Sequence, residues 1–138
     1  MNDLMYLLAG GVIFGVILIL LKRKRLRQIP EISDQEFLRV YRTKFGTPEE
    51  IVLRERRYLG KVLGIPDQKL SPEQTLKGLS KHGGLIEFQV GMGDLDSDLI
   101  DLLDRAGVES KDFTPPPTVG ELINEIAMLK EMILSKNS

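Results

Sequence analysis

"GMGDLDSDLIDLLDRAG", residues 91–107, is the stretch on which the fold turns. Leu95, Leu99, Ile100, Leu102, Leu103 and Ala106 recur at helical spacing and share one face, whereas Asp98, Asp101 and Asp104 share another. This pattern describes an amphipathic helix laid on a core, with Gly107 as its stop. Ser97 then reads as a polar residue of the first turn, and the acids around it suit the positive end of the helix dipole. Asp94, Asp96 and Asp98 also match the opening of a calcium loop. That loop needs glycine at its sixth place and glutamate at its twelfth. Leu99 and Arg105 stand there instead, so no metal site is expected.

Immediately upstream, "KHGGLIEFQVGMG", residues 81–93, alternates Ile86, Phe88 and Val90 with Glu87 and Gln89. Period two predicts a short extended segment, either a packed loop or an edge awaiting another chain. His82 is the only histidine, which leaves neither a histidine-rich metal site nor a Ser–His–Asp triad much support. Its glycine neighbours make it a loop residue. "GMG" is too short to be a phosphate cradle.

Further helices are predicted on both sides. "SDQE", residues 33–36, is a capping box whose helix carries Phe37, Leu38, Tyr41 and Phe45 on one side and stops at Gly46. Its Arg39, Arg42 and Lys44 form a solvated or membrane-facing side. "TPEE", residues 47–50, offers a Thr cap and a first-position proline. The stripe Ile51, Val52, Tyr58, Leu59, Val62 and Leu63 follows, and Gly64 ends it. Glu55 falls inside that stripe, where a carboxylate must pair with a cation or face a groove. "SPEQ", residues 71–74, opens a short third helix with Leu76 and Leu79. After the stiff "TPPP", Thr118 to Glu121 forms another capping box. The last helix, 119–134, buries Leu122, Ile123, Ile126, Leu129 and Ile133, and leaves Met128 and Met132 beside Glu125 where a partner could meet them.

The N-terminal segment is of another kind. Residues 4–21, "LMYLLAGGVIFGVILILL", hold no charge and are apolar on every side. At about 1.5 Å per residue they span roughly 27 Å, near the hydrocarbon thickness of a bilayer. Lys22, Arg23, Lys24, Arg25 and Arg27 follow at once, whereas "MND" before them contains one acid and no base. A cleaved signal peptide has the opposite order, so a retained transmembrane helix is expected. Basic residues stay on the cytoplasmic side, which puts residues 1–3 outside and the body of the chain in the cytoplasm of the cell (inner) membrane. Gly11 and Gly15 form one GxxxG, a spacing that can bring two such helices together as a homo-oligomer.

Five bases and one acid give residues 1–30 a net charge of +4, and the total of −1 leaves −5 for the rest. The collar is suited to anionic lipid headgroups, while an acidic body argues against nucleic acid. With no cysteine, disulfides and thiolate metal sites are excluded.

The helix order of residues 48–134 resembles a degenerate acyl carrier protein. The first helix ends in "VLGI", a long loop leads to an acidic second helix, and "TVGELINEI" opens the last. The resemblance implies an all-α fold, with a four- to five-helix carrier-like bundle behind the transmembrane helix. In that family a serine at the start of the second helix, in an Asp-Ser-Leu turn, bears phosphopantetheine. Here the order is Asp96-Ser97-Asp98-Leu99, and matching the apolar spacing puts Asp96 on the serine's place. The loop from Gly64 to Ser97 is also longer than the family's.

The division expected is therefore 4–21 membrane helix, 22–32 collar and linker, 33–46 connecting helix, 47–134 carrier-like domain and 135–138 tail. The expected function is non-enzymatic and free of cofactor: a membrane-anchored adaptor whose Asp98, Asp101 and Asp104, or Met128 and Met132, meet a protein partner. A carrier loaded on Ser97 and a small accessory subunit of a membrane complex are the alternatives. No nucleophile, base and oxyanion donor can be assembled into an enzyme site.

Overall fold

The computed structural model describes residues 2–81 and 85–137, and the reading of His82 as a loop residue falls outside them. Among the described residues the fold is all helical, with no strand and one isolated bridge between Thr75 and Thr118. Helix α1, Asn2–Arg27, has no buried residue, and its most apolar 18-residue window has a mean hydropathy of 2.7. It is the one described helix long and apolar enough to cross a membrane. The basic residues 22–27 belong to the same helix rather than to a linker. Only residues 28–33 are non-helical between α1 and α2, as Pro30 requires.

The remaining five helices form one bundle. Helix α2, Asp34–Tyr41, starts at Ser33, whose hydroxyl accepts from the Glu36 N–H at 3.2 Å. Helix α3, Glu49–Leu63, ends at Gly64 with φ 69°, a left-handed cap that glycine adopts without strain. Its start differs from the expected cap. Thr47 lies outside the helix and bonds the Tyr41 hydroxyl at 2.8 Å, so Pro48 opens α3 without a side-chain bond. Helix α4, Leu76–Ser80, begins five residues beyond Ser71 and two beyond Gln74, because the Thr75 hydroxyl, not that of Ser71, takes the cap bond, from Gly78 N–H. Gln74 still bonds back to the Ser71 N–H at 2.8 Å, so that box closes a turn instead of a helix.

Helix α5, Leu85–Ala106, overturns two expectations. Residues 86–90 are helical and not extended, and Ser97 lies twelve residues beyond Leu85 instead of in a first turn. The helical reading wins because Phe88, Leu95 and Leu99 are all buried along one stripe. Gly91 completes that stripe. A Cβ there would overlap the Val62 carbonyl, so glycine lets α5 touch the end of α3 directly. Helix α6, Val119–Lys136, is capped by Thr118 as its box predicts.

Phe37 and Tyr41 of α2, Val52, Leu59 and Leu63 of α3, and Leu122, Ile123 and Ile126 of α6 make the main core with α5. Leu103, Ala106, Leu129 and Ile133 make a smaller one between α5 and α6. Val62 meets Gly91 while Tyr58 meets Asp98, so α3 and α5 run antiparallel. The Lys136 amine beside Gly107 brings the C-terminal ends of α5 and α6 together. Their N-terminal ends lie at the opposite end of the bundle, with α4: Leu76 N–H donates to the Pro117 carbonyl at 3.0 Å, and Val119 N–H to that of Gln74 at 2.9 Å.

Candidate functional site

The basic collar of α1 and the acids of α5 lie apart along the bundle, although Lys111 and Lys136 also lie at the far end of α5. The α1 collar enters at the α4 end, where Gln28, Ile29 and Pro30 line a cleft with Glu73, Gln74, Thr75, Gly78 and Leu79. The acids of α5 occupy its other half. Asp94, Asp96, Asp98, Asp101 and Asp104 are all exposed.

These acids are not equivalent. Tyr58 of α3 donates its hydroxyl to Asp98, so Asp98 is tied to α3, although it stays exposed like Asp94, Asp96, Asp101 and Asp104. Burial pushes the Tyr58 phenol far above its ordinary range, and the Asp98 bond and the charges of Asp98, Glu55 and Asp94 push the same way. Asp101 has a long 3.8 Å contact with Arg105, an exposed pair that contributes little. No group of three or more metal-ligating side chains exists among the described residues.

Ser97 is exposed on the outward side of α5, among Asp96, Asp98, Asp101 and Asp104. It lies well inside α5 and not at the helix start where the resemblance implies a carrier serine.

Met128 and Met132 are 50 % and 42 % exposed and flank a shallow groove with Glu131, Ser135 and Lys136. Glu131, not Glu125, is the acid of that groove. Gly11 and Gly15 face open space, with nothing within 4 Å of where a Cβ would stand. Arg39 of α2 and Arg42, its C-cap, are exposed in pairs with Glu36 and Glu49. The Arg39 guanidinium holds the Glu36 carboxyl below its usual range.

Glu55 has found its cation. Its side chain is fully buried and Oε1 accepts from Lys130 Nζ at 2.7 Å and from Arg54 at 3.0 Å, while Oε2 has no partner. Lys130 also lies 5.9 Å from the Tyr58 ring, so Glu55, Lys130, Tyr58 and Asp98 link α3, α5 and α6 in one polar seam.

The residue most missed by sequence reasoning is Arg56. It is fully buried, and donates to Asp34 at 2.6 Å, to the Ile32 carbonyl at 2.7 Å and to the Leu70 carbonyl at 3.1 Å. Its guanidinium lies 4.5 Å from the Phe37 ring centroid. The available signal was spacing: Val52, Arg56, Leu59 and Leu63 stand at i, i+4, i+7 and i+11, on the core stripe itself.

Compared with protein-family models, curated proteins and solved structures, the chain matches none.

Proposed function

We propose that the protein is a single-pass membrane adaptor: α1 stays in the lipid, the bundle lies on the cytoplasmic side, and the outer face of α5 docks a basic protein partner. The observation that carries this reading is the separation of charge described above. Five bases sit at the membrane end of the chain, and Asp101 and Asp104 are exposed on the distal half of α5, where Arg105 makes only a long contact with Asp101. Anionic lipid attracts the first group and repels the second, so the acids are turned toward the cytoplasm. An acidic face held there steers a basic partner and suppresses acidic ones.

The test is a photo-crosslinker at Ser97, one helical turn before Asp101, in the full chain in native membranes. The expected result is a protein adduct that weakens with salt and disappears in Asp101→Lys/Asp104→Lys. An adduct indifferent to both, or no adduct beyond the chain itself, contradicts the reading. Intact mass of the unlabelled chain after exposure to a phosphopantetheinyl transferase should be unchanged. A gain that vanishes in Ser97→Ala would establish a carrier instead.

A further inference from the structure

The segment between anchor and bundle is short, and it is fastened on both sides. Arg56 holds the Ile32 carbonyl and the Asp34 carboxylate. Lys69 donates to the Ile29 carbonyl at 2.9 Å, and the Ile32 N–H donates to the Gln68 carbonyl at 2.7 Å. Ile29 is 4 % exposed, and Leu26, in the last turn of α1, packs against the main core. Residues 28–32 are thus a strap and not a swinging tether, and the face that the bundle turns to the lipid is set by the fold.

That face is α4. From Leu21 to Arg27 the helix rises about 9 Å beyond the hydrocarbon edge, and the headgroup layer is roughly 5–7 Å deep on each side. Ile29 then lies a few ångströms outside the headgroups, and the residues lining its cleft, Glu73 to Leu79, lie there too. Lys77 and Lys81 are exposed on and just beyond α4, four residues apart and therefore on one side of it. The acids nearby are Glu31, whose carboxylate has a 3.8 Å contact with Lys69, and Glu73 in the cleft.

We propose that Lys77 and Lys81 form a second lipid contact, binding anionic phospholipid headgroups beside the Lys22–Arg27 collar, so that the bundle rests on the bilayer with α4 down. The proposal rests on α1 being a retained membrane helix. Each lysine near an anionic surface contributes enough that losing two weakens docking by about 30-fold.

The chain has no cysteine, so single labels can be placed at will. The full chain is reconstituted into nanodiscs, either neutral or containing anionic phospholipid, with a fluorophore on Glu73→Cys, Glu131→Cys or Leu20→Cys. Quenching by headgroup-region spin-labelled lipid is then read. Quenching at position 73 should be strong in anionic discs, weak in neutral ones and reduced to the neutral level by Lys77→Gln/Lys81→Gln. Position 131, about 20 Å along α6 from Thr118, should stay unquenched throughout. Quenching at 73 that ignores lipid charge and both lysines, or no quenching at 73 while a deep quencher reaches position 20, overturns the proposal and leaves the anchor standing. A label at position 20 that no lipid quencher reaches overturns the anchor itself.

Discussion

Arg56 Nη2 donates to the carbonyl oxygen of Ile32 at 2.7 Å, joining the middle of α3 to the segment that follows α1. The same guanidinium takes the Leu70 carbonyl at 3.1 Å, so two main-chain acceptors depend on one side chain. Arg56→Met should therefore cost about 2–4 kcal/mol, mostly through carbonyls left without donors. Urea unfolding of the full chain in mild detergent reads this loss. Arg56→Lys should recover less than half of it, because an ammonium cannot serve three acceptors held apart by a planar fork. Full recovery by lysine would show that charge alone matters at this position.

The Glu55 and Lys130 pair makes a sharper energetic prediction. Lys130→Met leaves the buried carboxylate with Arg54 alone, itself half exposed, and should destabilise by about 2–3 kcal/mol. Glu55→Met/Lys130→Met removes both charges and should be more stable than Lys130→Met alone. A double-mutant cycle in urea gives the coupling directly. A double variant as unstable as the sum of the two singles would mean that the ion pair is not what holds this seam.

Two neighbouring glycines should respond with opposite signs. Gly91→Ala forces a methyl onto the Val62 carbonyl, a backbone atom that cannot swing aside, and should cost about 1–3 kcal/mol. Gly93 lies in the same helix with nothing within 4 Å, so Gly93→Ala should stabilise by about 0.5–1 kcal/mol. Thermal unfolding followed by circular dichroism distinguishes them. Equal shifts would contradict the close contact of α5 with α3.

Gly91 also explains where the sequence misled. Before the fold is known, Gly-Met-Gly beside the alternating Ile86, Phe88 and Val90 reads as a break after an extended segment. In the bundle the same residues continue a helix, because the missing side chain at 91 makes room for another helix's carbonyl. That is a tertiary fact with no local signature, and with it went the placing of Ser97 in a first turn. Features that depend only on nearby residues were legible: the all-round apolar α1, the boxes at Ser33 and Thr118, and the glycine stops at Gly64 and Gly107. Glu55 was legible as a charge in need of a cation, though Lys130 is 75 residues away. Arg56 was not, since its acceptors are main-chain carbonyls that a sequence cannot display.

Tyr58 makes stability depend on alkaline pH. Its phenol is held above the ordinary value of about 10 by burial first and by the Asp98 bond and nearby carboxylates next. The folded state therefore prefers the protonated phenol. Its contribution is fully present below about pH 10 and is lost as the pH climbs above that toward the raised folded value. Tyr41, also raised by burial, acts in the same direction. Tyr58→Phe should lower stability slightly at neutral pH and make the alkaline fall shallower, as read from urea midpoints across that range. A fall equally steep in the variant would remove Tyr58 from the account.

The central claim is tested most directly by protease added to sealed, right-side-out membrane vesicles, followed by intact mass of the recovered chain. The account predicts that residues from the α1 collar to the C-terminus survive until the vesicles are opened, and that α1 is still attached. Digestion of the bundle from outside, or a mature chain starting after Arg27, would contradict it.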